Sequence, residues 1–256
     1  MTSIHPAAAQ GYMANSLAYA KGRPDYPPDL AEWLRSDLAL SPGKQALDLG
    51  SGTGKFLPTL LATGASVIAV EPVDAMRTQL MEANPGVEAK AGSAEQIPLG
   101  DGSMDAVICA QCFHWFANHQ ALAEIHRVLK PGGFLGLIWN VRDERVAWVA
   151  ALTDIFEPYS GDAPRYYKRE WRKLFPADGF TPLVEQHFPH HHIGAPERVI
   201  VDRCLSISFI AALPQAKQNE VAAQLRDLIA STPELAGKAE VTFPYVTAAF
   251  SCRKLG

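Results

Sequence analysis

Over the first 140 residues, short apolar runs alternate with segments of helical spacing, and that alternation leaves few folds open. "QALDLG" reads as a buried strand, "KFLPTLLATG" as a short helix and "SVIAVEP" as the next strand. "VDAMRTQLMEANPG" follows as a helix closed by Pro and Gly, then "VEAKAG" and "MDAVICA" as strands. "NHQALAEIHRVLKPGG" is a helix whose glycines are expected to stop it just past its last turn, and "FLGLIWN" is one more strand. Short apolar strands separated by helices imply a parallel sheet covered on both faces. A doubly wound α/β fold results, with ligands at the carboxyl ends of its strands. Further on, "RVAWVAALTDIFEPY" and "QAKQNEVAAQLRDLIAST" have helical spacing, while "LVEQHF" and "YVTAAFSCRK" read as strands. A chain that returns to strands near its end completes the same sheet, and the intervening helices are expected across its open edge as a cap.

Composition removes several function classes. The formal net charge is −4, so no basic field is available for a polyanion and no nucleic-acid partner is expected. The N-terminal "MTSIHPAAAQGYMAN" lacks the basic and apolar regions of a signal peptide, and no apolar run is long enough to cross a bilayer. A cytoplasmic protein without membrane contact is the expectation. Four cysteines in 256 residues are too few for a disulfide framework. Cys109 and Cys112 spell C-x-x-C with no second pair at zinc-ribbon spacing, so no metal is expected. "PHHH" (Pro189 to His192) is read as surface, because adjacent histidines cannot all face one ion.

The turn "DLGSGTGKF" after the first strand carries three glycines in five positions, which brings a backbone close to a ligand. A phosphate-binding P-loop would need Gly where Leu49 stands and a hydroxyl where Phe56 stands. A dinucleotide turn fits Gly50 and Gly52 but needs its third glycine at Lys55, which leaves a nicotinamide-dependent oxidoreductase as a weak alternative. Asp48-Leu49-Gly50-Ser51-Gly52-Thr53-Gly54 instead resembles the D-x-G-x-G-x-G turn of class I S-adenosylmethionine (SAM)-dependent methyltransferases. Three further stretches extend the likeness in order over residues 45 to 140. Glu71 ends the second strand, "AGSAEQIPLGDGSMDAVICA" leads into the fourth, and "RVLKPGGFLGLIW" supplies the late helix, turn and fifth strand.

That resemblance implies a Rossmann-like α/β fold with a seven-stranded doubly wound sheet, its last strand antiparallel, an N-terminal helical lid and a C-terminal helical cap. It implies one methyltransferase domain over 1–256, divided into a lid (1–40), a SAM-binding core (41–141) and a cap with the last strands (142–256). The cofactor is expected against Asp48, Gly50, Ser51, Gly52 and Gly54, with Asp48 accepting from its amino group and Glu71 holding the ribose hydroxyls. Pro72, Met76 and Gln111 are expected to touch it, and Ser93, Ala94 and Glu95 to lie beside the adenine. Ser93 departs from the Asp that the family often carries there.

"AQCFHWF" (Ala110 to Phe116) follows the fourth strand where cofactor meets substrate, and it lacks the Asn/Asp-Pro-Pro-aromatic turn of nucleic-acid amino-methylases. Its Gln-Cys-x-His-Trp string looks like small-molecule methyltransferases of the trans-aconitate methyltransferase type, whose acceptors are carboxylates, hydroxyls or thiols. Cys112, His114 and Trp115 are the expected substrate contacts, and His114 is the candidate base or orienter. The segment "YMANSLAYAKGRPDYP" resembles the stretch that folds over the cofactor in these enzymes. Tyr12 is expected at the substrate, and Tyr19 and Arg23 at the cofactor, Arg23 on its carboxylate. A SAM-binding module without catalysis is the second alternative.

Overall fold

The computed structural model describes residues 23–256. Tyr12 and Tyr19 lie outside the described residues. Seven strands form one sheet: β1 (Gln45–Leu49), β2 (Ser66–Val70), β3 (Glu88–Lys90), β4 (Met104–Ala110), β5 (Leu129–Arg142), β6 (Val184–Gly194) and β7 (Val241–Arg253). Their order is β3-β2-β1-β4-β5-β7-β6. β1 to β5 pair in parallel, and β7 runs antiparallel to both β5 and β6. β1 lies between β2 and β4, so the winding reverses there and opens a crevice at the carboxyl ends of β1 and β4. Both faces of β1 are buried, which is why its sequence is apolar without alternation.

The helices α1 (Asp29–Ser36), α2 (Leu57–Leu61), α3 (Asp74–Ala83) and α4 (His119–Val128) flank this half of the sheet. Leu30, Trp33 and Leu34 of α1 are buried in the same cluster as Ala46 of β1 and Ile108 of β4. Residues 29–36 of the stretch read as a lid are therefore a fixed layer of the core. Asn118 caps α4 by accepting from the Ala121 N–H at 2.8 Å.

The end of α4 differs from the sequence reading. The helix stops at Val128, because Pro131 disfavours helical geometry at Lys130, and β5 starts at once. Pairing jumps from Met104–Leu129 to Ala106–Phe134, so the Lys130–Gly133 segment is a bulge inside β5 rather than a glycine stop. A Cβ on Gly133 would lie 2.9 Å from the Asp105 carbonyl oxygen, and Lys130 Nζ lies 2.6 Å from the Asp105 carboxylate. The role of this stretch is structural.

Between β5 and β7 lie α5 (Ala147–Phe156), a π-helical segment (Glu197–Asp202), α6 (Arg203–Leu205), α7 (Ser208–Ala211) and α8 (Gln215–Ser231). They bury their own apolar cluster against Val241, Phe243 and Tyr245 of β7, which makes the expected cap. β6 is longer than "LVEQHF" and takes in the histidine run as an edge strand, where Pro189 is tolerated. Strand alternation buries His192, leaves His191 exposed and half-buries His190. The run is therefore surface on one side only.

Candidate active site

The turn after β1 has three glycines with left-handed backbones, Gly50 (φ +72°), Gly52 (+58°) and Gly54 (+81°). A Cβ on Gly50 would meet Cys112 Sγ at 3.0 Å, and one on Gly54 would meet Asn84 Nδ2 at 2.8 Å. The nearest atom to a Cβ on Gly52 is Met76 Sδ, at 3.9 Å. Gly50, Ser51 and Gly52 line a cleft of about 1360 Å³, counted out to its open mouth. Gly54 does not line it; its missing side chain lets the turn pack on Leu57 and Leu80.

Two buried carboxylates stand in this cleft. Glu71 is fixed by the backbone: the Gly52 N–H donates to one oxygen at 2.8 Å and the Val73 N–H to the other at 2.9 Å. Burial raises its pKa, and the two N–H donors and Arg77 oppose the rise. Asp48 is 1% exposed, and among the described residues neither of its carboxylate oxygens has a hydrogen-bond partner. Burial and then the Glu71 charge raise its pKa to about 7, against a smaller opposing effect of Ser51. The Ser51 hydroxyl donates to the Asp48 carbonyl at 2.6 Å, which leaves the carboxylate for a ligand. A buried carboxylate without a partner is costly, and a cationic ligand group removes that cost. SAM fits: its ammonium suits Asp48, its ribose hydroxyls suit the remaining lone pairs of Glu71, and its chain suits the open side of Gly52.

Past β4 the chain turns at Gln111, a non-glycine residue at φ +64° whose N–H donates to Ile138 O at 2.8 Å. That backbone state costs about 1 kcal/mol or more for such a residue, and it places Gln111 on the cleft wall. Cys112 donates its thiol to Leu49 O at 3.0 Å, and burial pushes that thiol well up, so it remains protonated. His114 Nδ1 accepts from Trp139 Nε1 at 3.1 Å. Burial, then the charges of Arg23 and Arg165, hold its pKa down to about 3. Its proton is therefore on Nε2, and the ring is suited to donating a hydrogen bond rather than to acting as a base.

His114 lines a second cavity, which shares Arg23, Gln111, Trp115, Asn140 and Arg203 with the first. Of the expected residues, the main cleft collects Arg23, Asp48, Gly50, Ser51, Gly52, Glu71, Pro72, Met76, Ser93, Ala94, Glu95, Gln111, Cys112 and Trp115. The Glu95 carboxylate is engaged by Asn118 Nδ2 at 3.0 Å and thereby braces the start of α4. Arg23 donates to Ser206 O at 3.2 Å, so the segment before α1 is tied to the cap. The sequence reading missed Lys55, which pairs with Asp25 at 2.9 Å on the cleft wall, and Asn140 at the end of β5. It also missed Arg142, Arg165 and Arg203 in the second cavity. Their one available signal was the position of Asn140 and Arg142 at the carboxyl end of a parallel strand.

Residues 47–137 match the family described as "Methyltransferase domain". A methyltransferase-like protein of Schizosaccharomyces pombe, itself uncharacterized, is 39% identical over 237 residues, which is 92% of each chain. An uncharacterized methyltransferase of Mycobacterium bovis is 38% identical over 230 residues, 90% of each chain. Among solved structures, a type II methyltransferase from Anaeromyxobacter dehalogenans superposes with a TM-score of 0.62 at 24% identity, over 91% of this chain and 97% of that one. At that identity the likeness concerns the fold.

Proposed function

This chain belongs to the methyltransferase family and uses SAM, and we propose that its methyl acceptor is a small carboxylate, hydroxyl or thiol bound in the second cavity. The carrying observation is the confluence of the two cavities at Gln111 and Trp115, directly past the carboxyl end of β4. A protein that only bound the cofactor would need the first cavity and not the second. The finer likeness, to methyltransferases of the trans-aconitate type, rests on Gln111, Cys112, His114 and Trp115.

When bound, SAM supplies a methyl group already activated by a sulfonium. What the chain adds is placement and exclusion of water. In this reading Asp48 and Glu71 fix the two ends of the cofactor, and Arg23 meets its carboxylate. Ser93 and Ala94 line the adenine end, and Met76 covers the open face of the glycine turn. Gln111, held rigid by its bond to Ile138, forms the shared wall with Trp115. His114, neutral and donating from Nε2, orients the acceptor. A carboxylate acceptor needs no base, in keeping with a histidine that cannot take up a proton at neutral pH.

The test is transfer of a labelled methyl group from SAM to a panel of acids, phenols and thiols. Label in at least one small acid is expected. Cofactor binding with no transfer to any member would favour the non-catalytic binder.

A further inference from the structure

Trp139 stands on β5 with its ring in the core and its one polar atom bonded to a residue of the second cavity. It is 1% exposed, and its ring centroid lies 4.6 Å from Trp171, 5.1 Å from Tyr166 and 5.9 Å from Phe250. Trp171 is fixed in turn, since its Nε1 donates to the Tyr166 carbonyl at 3.3 Å. So packed, the indole cannot swing its N–H elsewhere. Among the described residues its acceptor is His114 Nδ1, at 3.1 Å.

An indole N–H only donates, so it needs a lone pair on Nδ1. The Nδ1–H tautomer and the imidazolium would each set an N–H against the buried indole N–H and leave it without an acceptor. The indole therefore selects the Nε2–H tautomer and opposes protonation. The surroundings of the ring act the same way: burial first, then the charges of Arg23 and Arg165, keep a proton off it. Arg142, Arg203, Tyr166 and Tyr167 line the same cavity, and no Asp or Glu does among the described residues. Arg142 and Arg165 are paired outside that lining, with Glu144 at 3.8 Å and Glu157 at 2.6 Å. Neither tyrosine is placed to serve as a base. Burial pushes the Tyr166 hydroxyl up, and the Tyr167 hydroxyl oxygen accepts from the Arg142 N–H at 3.2 Å.

We propose that Trp139 is a positioning residue of the methyl transfer: it locks His114 as an Nε2–H donor that cannot remove a proton, so the site methylates an acceptor atom that arrives ionised. Such an atom gives its lone pair to the methyl carbon, the carbon–sulfur bonding pair passes to sulfur, and no proton has to leave. The proposal rests on the assignment of the second cavity to the acceptor, and it adds what selects among acceptors there.

The test is nitrogen-15 NMR of the histidine-labelled protein saturated with S-adenosylhomocysteine, the His114 signal being assigned by its loss in His114→Gln. The wild type should show the Nε2–H tautomer alone, without titration between pH 5 and pH 8. Two variants remove the donor. Trp139→Phe shortens the ring, and replacement of Trp139 by benzothienylalanine keeps the ring shape with sulfur in place of N–H. The share of the Nδ1–H form should rise about tenfold or more in each variant that folds, as when one hydrogen bond is lost. A tryptophan that only filled the core would give no such change in the isosteric variant. In the labelled-methyl panel at pH 7, ionised acids should outpace un-ionised phenols and thiols by about a hundredfold, the contribution of the missing base. A wild-type His114 that is Nδ1–H or titrates in that range would overturn the proposal. So would an unchanged tautomer ratio in the isosteric variant, or phenols that match acids. If Trp139→Phe fails to fold, the wild-type spectrum and the isosteric variant decide. Absence of label from every member of the panel would overturn the acceptor reading beneath the proposal, and the spectra would still show whether the lock on His114 exists.

Discussion

Asp48→Asn is expected to stabilise the cofactor-free protein at pH 8 while weakening SAM binding about ten- to hundredfold. Both effects come from one carboxylate that is 1% exposed and has no hydrogen-bond partner among the described residues. In the fold its pKa is raised to about 7 from an ordinary 3.8, first by burial and then by Glu71. A raised pKa means that the folded state holds the proton more tightly than the unfolded chain does. The associated stability is complete below the unfolded pKa and is lost as pH rises through about 7, up to about 4 kcal/mol in all. The wild type should therefore lose stability between pH 5 and pH 8 more steeply than Asp48→Asn does. Urea unfolding of both proteins at the two pH values, without cofactor, reads the difference. Parallel slopes would show that Asp48 is not a strained buried acid. Because the ammonium of SAM needs the ionised carboxylate, affinity should rise with pH through the same range, and only in the wild type.

Glu71→Ala is expected to weaken SAM binding by about 2 kcal/mol, roughly thirtyfold, as when a hydrogen-bond partner with full charge is lost. The carboxylate is 5% exposed and already accepts from Gly52 and Val73, so its position is set before any ligand arrives. Removing it strips the ribose of its acceptor and leaves two backbone N–H groups without theirs. The apo protein should therefore also lose about 1 kcal/mol or more of stability. Titration of the variant with S-adenosylhomocysteine measures the first effect and thermal melting the second. Wild-type affinity in a variant with a lowered melting temperature would mean that Glu71 supports the glycine turn alone and the ribose lies elsewhere.

Much of this site was legible in the sequence because its parts are local. Asp48 and the glycines lie within one strand-to-helix turn, and Glu71 sits at the end of the next strand, where winding order alone brings it alongside. Gly54 was the exception within that turn: its sequence position looks like a ligand contact, but packing on Leu57, Leu80 and Asn84 is what requires it. The arginine cavity was not legible. Arg23, Arg142, Arg165 and Arg203 come from four separate segments; Arg23 was read as a cofactor contact, while Arg142, Arg165 and Arg203 each alone read as a surface cation. The left-handed state of Gln111 was equally hidden, since nothing in the residue type signals it. The bulge at Lys130–Gly133 and the length of β6 were misjudged for one reason. Proline reads as a breaker in a sequence, yet a sheet accommodates it at a bulge or an edge.

The central claim is that the cleft between β1 and β4 is built for SAM and its demethylated product. Its most direct test is calorimetric titration of the intact protein with S-adenosylhomocysteine, followed by thermal melting of the complex. Saturable binding is expected, with a stabilisation of about 2.7 kcal/mol when the ligand is at about one hundred times its Kd. A folded protein that gives neither heat nor a shift in melting temperature, with S-adenosylhomocysteine and with SAM alike, would contradict it.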